Sequence, residues 1–146
     1  MDIYALLSGD HRRVLALFSR LEAEESPAET ERDRLFHELQ AELSIHREAE
    51  ERIFYAALAG FPGTGDLIDE SIEEHLDLAE LIEDLRDFDG DETEFLNLLA
   101  ELREEFQHHI EFEEEEVFNT ARRLLTDEDA GKLAEEMQRE RNRLTA

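Results

Sequence analysis

The sequence contains no cysteine, two prolines, six glycines and a single lysine, Lys132. Without cysteine, no disulfide, zinc–thiolate site or iron–sulfur cluster can be built. No apolar run approaches the ~18 residues a membrane span needs. The N-terminus, Met1-Asp2-Ile3-Tyr4, lacks the basic and apolar regions of a signal peptide, so a cytoplasmic protein is expected. With proline and glycine confined almost entirely to a few short stretches, long uninterrupted helices are allowed.

Acid is what the chain has in excess. Asp and Glu number 41 against 15 Lys and Arg, for a formal net charge of −26. That charge opposes binding to nucleic acid or to an anionic membrane. All the basic residues except Lys132 are arginine. Such a surface suits a salt-rich cytoplasm, where screening removes self-repulsion. The length of 146 residues fits one domain with a real core, spanning 1–146.

Four breaks divide the chain. Ser26-Pro27-Ala28-Glu29 reads as a helix start, with Ser26 as N-cap and Pro27 at the first position. The stretch from Gly60 to Gly65 is a breaker-rich turn. Asp91 and Glu94 are spaced as a cap and its partner, and Thr126 to Asp129 caps a last helix. Helices are therefore predicted at about 3–24, 28–59, 66–87 and 92–123, with a fifth at about 127–143. Each long helix carries an apolar stripe at helical spacing, for example Leu7, Val14 and Phe18, or Leu39, Leu43, Ile53 and Phe54. The short loops favour antiparallel neighbours: an all-α, up-down-up-down four-helix bundle with a short C-terminal fifth helix.

His46 and Glu50 lie four residues apart, and His109 and Glu113 repeat that pair 63 residues later. A histidine precedes each pair, His11 and His75. With six histidines among so many acids, one or two such pairs arise by chance. Phase is the stronger signal. His11 sits between Leu7 and Val14, and His46 follows Leu43 by three residues. His75 lies between Ile72 and Leu78, and His109 follows Phe106 by three. All six groups face inward at mid-helix, and residues four apart share one face. The apolar residues repeat too: Leu35, Leu39 and Tyr55 correspond to Leu98, Leu102 and Phe118. The two helix pairs thus read as copies related by a pseudo-two-fold. His37 falls off its stripe, and His108 reads as a flank of the site.

An unpaired buried carboxylate costs several kcal/mol, and Arg47 and Arg52 fall off the stripe that could neutralise Glu50 and Glu113. A metal cation neutralises both. Imidazole and carboxylate without thiolate suit iron, manganese or zinc. Two ions fit better than one, four histidines divided between them with Glu50 and Glu113 bridging. An open position on iron within an apolar bundle is what binding of dioxygen or nitric oxide requires.

The segments Asp10-His11, His46-Arg47-Glu48-Ala49-Glu50-Glu51, Glu74-His75 and His108-His109-Ile110-Glu111-Phe112-Glu113-Glu114 resemble the hemerythrin-like, HHE cation-binding family. The resemblance implies a four-helix bundle holding a non-haem di-iron centre, with His11, His46, Glu50, His75, His109 and Glu113 as its metal ligands. It further implies dioxygen, nitric oxide or peroxide as the small ligand, and roles in gas binding, sensing or iron handling. Oxygen-carrying members have another histidine one turn after the position of His75; here it is Ala79. That departure points away from simple oxygen carriage and toward a more solvent-open site. Tyr4, Tyr55, water or another glutamate are the candidates to fill the place. A sensing role would pass its signal through a partner protein or a homo-oligomer. The competing readings are a peroxide-reactive di-iron enzyme and a structural helical module without functional metal. A ferritin-like oxidase is disfavoured: Glu105-x-x-His108 is the one matching motif, and its repeat copy carries Ile45.

Overall fold

A computed structural model describes residues 1–23 and 29–145. Helix α1 spans Ile3–Ala23 and α2 spans Glu29–Glu50. A five-residue π turn, Glu51–Tyr55, carries α2 into the short α3, Ala56–Ala59. Helix α4 is Gly65–Arg86 and α5 is Glu92–Phe112. A second π turn, Glu113–Val117, leads into α6, Phe118–Leu124, and α7 is Asp127–Thr145. Pairings of α1 with α2, α4 with α5, α1 with α5 and α2 with α4 close a ring of four antiparallel helices. The expected bundle is present, with α7 laid against α1, α2 and the first π turn. No helix among the described residues is long and apolar enough to cross a membrane.

Local chemistry explains the breaks. The Asp91 side chain accepts from the Glu94 amide at 2.8 Å, capping α5. Thr126 and Asp129 exchange side chain and amide at 3.1 Å in both directions, a reciprocal box that starts α7. The turn before α4 uses Gly63 at φ 85°, a conformation costly for other residues. There the Thr64 hydroxyl donates to the carbonyls of Leu58 and Phe61. The expected cap at Ser26 and Pro27 lies outside the described residues.

Two apolar clusters fill the bundle. One joins Val14, Phe18, Leu39, Ile82, Leu99 and Phe106; the other joins Leu7, Phe54, Tyr55, Leu58, Phe118 and Met137. On each long helix the buried polar residues fall between the two, so the polar centre has an apolar cluster on either side.

The π turns were not foreseen. Five residues per hydrogen-bonded turn instead of four rotate everything that follows. Ile53, expected on the inward stripe, is therefore only partly buried, while Phe54, Tyr55 and Leu58 point in. The second copy behaves alike: Val117, Phe118 and Ala121 are buried at positions 63 residues later.

Candidate metal centre

Each π turn begins one residue after, or at, an inward glutamate. Glu50 closes α2 and Glu113 opens the second π turn; both are fully buried. His11 on α1, His46 on α2, His75 on α4 and His109 on α5 are each at most 4% exposed. The six residues picked from the sequence come together at the middle of the bundle.

The pairing crosses between the two halves. His11 Nε2 lies 3.3 Å from Glu113, and His75 Nε2 lies 3.1 Å from Glu50. The same-helix contacts are longer, 3.6 Å for both His46–Glu50 and His109–Glu113. The Nε2 atoms of His75 and His109 approach to 3.1 Å. Two four-residue groups result: His11, His46, Glu50 and Glu113, and Glu50, His75, His109 and Glu113. Within each, one ligand atom per residue lies within 4.8 Å of all the others. Both glutamates belong to both groups.

The donors fit a cation better than they fit one another. Both Glu50 oxygens, Glu113 Oε1, His46 Nε2 and both ring nitrogens of His11 are buried without a hydrogen-bond partner. Native interiors rarely leave such groups unpaired, because each costs about 1–3 kcal/mol. A metal ion accepts the lone pairs of the carboxylate oxygens and of the two Nε2 atoms together.

The model of the Hemerythrin HHE cation binding domain matches residues 2–121. The chain belongs to this hemerythrin family. A hemerythrin HHE cation binding domain-containing protein from Mycobacterium kansasii, solved by crystallography, superposes with a TM-score of 0.86. The superposition covers 99% of this chain and 87% of that one, at 23% identity. A protein of Nostoc sp. named DNA nickase is 26% identical over 144 residues, covering 99% of this chain. The hemerythrin chain spans only 40% of that relative's length.

In this hemerythrin-family chain the outward nitrogens of three of the four histidines are held by a second ring of acids. Asp10 accepts from His46 Nδ1 at 2.9 Å, Glu51 from His75 Nδ1 at 2.8 Å and Glu74 from His109 Nδ1 at 2.8 Å. Glu114 stands 3.7 Å from His11 Nδ1 and accepts from Ser8 at 2.6 Å. A proton fixed on Nδ1 leaves the Nε2 lone pair for a metal and makes it more basic. Each acid directly precedes or follows one of the six residues in sequence, yet supports a histidine on a different helix. That adjacency was the available signal; which histidine each acid supports is decided by packing. Glu74 also reaches the exposed His108 at 3.5 Å, while His37 is exposed.

Two more residues join the centre. The Tyr55 hydroxyl donates to Glu113 and shares a hydrogen bond with Ser71, and its ring stacks on His75 at 5.6 Å. The π turn is what brings Tyr55 inward. Arg141 of α7 bonds the buried Asp10, which Arg13 also meets at 2.6 Å. The hydroxyl of Tyr4, another of the candidates to fill the gap at Ala79, is buried without a hydrogen-bond partner, beside Phe118 and under Arg122.

Without metal the centre holds protons instead. Burial works against charge on His46, but the Glu50 charge and the Asp10 hydrogen bond outweigh it and raise its pKa to about 10. His75 is likewise opposed by burial and raised to about 9 by its contacts with Glu50 and Glu51. Burial alone would push Glu50 up, but the His46 charge beside it holds it well below the usual range. Asp10 is also lowered, its burial outweighed by His46, Arg141 and Arg13. Raised imidazoles stay protonated across neutral pH, so a metal must displace their protons. Affinity accordingly rises with pH: chelator competition at about pH 6 gives weaker binding than at about pH 8, and loading an unbuffered sample acidifies it. A pH-independent affinity would contradict this arrangement.

Proposed function

We propose that this chain is a non-haem di-iron protein that binds or senses dioxygen or nitric oxide. The observation that carries the reading is the sharing of Glu50 and Glu113 by both ligand groups. On this reading His11 and His46 would hold one ion and His75 and His109 the other, with Glu50 and Glu113 available to both. The donor set of imidazole and carboxylate is compatible with iron, and with manganese or zinc. Bound iron would supply an open position for reversible coordination of a small ligand.

The protein's own residues shape that chemistry. The outer acids orient the histidines. The two apolar clusters flank the centre and lower the polarity around it, which strengthens the local electrostatics. Tyr55 donates a hydrogen bond to Glu113, within the centre.

A second reading, a peroxide-reactive enzyme or iron-handling protein, is favoured by Ala79, which leaves space beside His75 where a histidine would close it. The name of the Nostoc relative brings DNA into view for this chain as well. The net charge of −26 opposes that, and we propose no nucleic-acid substrate for this domain.

One preparation tests these readings. Metal analysis of the purified protein should give two iron per chain. Absorption spectra under air, after reduction and after nitric oxide should differ, with the dioxygen change reversing under vacuum. Turnover of peroxide would favour the enzyme, and supercoiled plasmid should remain uncut. Absence of stoichiometric metal would overturn the di-iron reading.

A further inference from the structure

A cavity of about 150 Å³ lies between α2 and α4, and it ends on the metal centre. His46, His75 and His109 form its floor; His11 is not among its lining residues. Leu43, Leu78, Ala79, Ile82 and Phe106 form apolar walls. The exposed Ser44, Glu83 and Arg86 mark its outer end. Ala79 stands one helical turn after His75, and its methyl leaves room that a long side chain would occupy. The corresponding position in the first half is Leu15, which packs against the apolar core. The pseudo-two-fold is thus broken on the side of His75 and His109.

We infer that this cavity is the route and binding site for the exogenous ligand, and that it admits molecules larger than a diatomic gas. The ligand class is a small molecule with an apolar body, up to the size of benzene, and one ligating head directed at the His75–His109 side. Size and lining support this: an engineered apolar cavity of about 150 Å³ holds benzene or xenon. A diatomic gas alone would leave most of the space unfilled. The floor consists of ligand-bearing histidines, so an occupant's head reaches the centre while its body meets Leu78, Ile82 and Phe106.

The test has two arms. In the first, benzene is titrated into metal-free protein and followed by methyl NMR. Shifts at Ala79, Leu78 and Ile82 are expected, with those at Leu78 and Ile82 vanishing in Ala79→Leu. In the second, azide binding to the metal-loaded protein is followed by absorption. Ala79→Leu, with metal content and helicity retained, should slow azide binding about ten-fold or more, because its route must first open. The azide arm rests on the metal reading above; the benzene arm does not. A wild-type protein that binds benzene but no metal would therefore sink the proposed function and leave the cavity site standing. No benzene shifts in the wild type, or an unchanged azide rate in a metal-loaded Ala79→Leu protein, would overturn the inference.

Discussion

Glu50→Ala should empty both halves of the centre, whereas His46→Ala should leave one ion bound. The asymmetry follows from membership. His46 belongs to one ligand group; Glu50 belongs to both. Glu50 is fully buried, 3.1 Å from His75 and 3.6 Å from His46, so its loss removes a donor from each side of the centre. Loss of a supporting partner alone costs about 10–100-fold in metal affinity, and loss of a shared ligand should exceed that at both positions. In His46→Ala, the group of Glu50, His75, His109 and Glu113 is intact. Metal analysis after dialysis, with one iron per chain in His46→Ala and none in Glu50→Ala, is the expected result. Glu50→Gln serves as the check on folding, since it keeps the volume and removes the charge. Equal retention of metal in the two alanine variants would show that the glutamates do not bridge.

Asp10→Ala is expected to be the most damaging change outside the six ligand candidates. Asp10 is 1% exposed and binds His46, Arg13 and Arg141 at once. Removing one member of a buried charge set costs about 3–5 kcal/mol, because the remaining charges lose their partner. The lower end applies here, about 3 kcal/mol: Arg13 is half exposed and Arg141 keeps Glu42 at 3.6 Å. For a domain of this size that lowers the midpoint of thermal unfolding by roughly 10 °C. The His46 ring also loses the acceptor that sets its orientation, so metal affinity should fall about 10–100-fold. Arg141→Ala separates the two effects. It removes one tie between α7 and α1 but leaves Asp10 on His46, so the loss of metal affinity should be much smaller than in Asp10→Ala. Identical metal affinity in wild type and Asp10→Ala, measured by chelator competition, would refute the role of Asp10 in orienting His46.

Much of the architecture was legible in the residues. Helical phase is a local property with a period of 3.6, so stripes such as Leu39–Leu43–His46–Glu50 can be read without knowing what they face. Caps are local too, and Asp91 and Thr126 act where the spacing placed them. The 63-residue repeat and the six inward polar groups came from the chain by itself, and the missing histidine at Ala79 from its resemblance to the family.

Contacts between distant segments were not legible. That His11 meets Glu113 and His75 meets Glu50 depends on how four helices cross. That Arg141 reaches Asp10 depends on where α7 lies. The π turns shift Ile53 out and Tyr55 in, a change of register that the apolar pattern, read at a 3.6 period, did not reveal. Outside the π turns, the sequence determined which residues each helix turns toward the interior, because that follows from regular helix geometry. The tertiary structure decided which of them share a point in space, and left a cavity at Ala79, because both depend on packing between helices far apart in the chain.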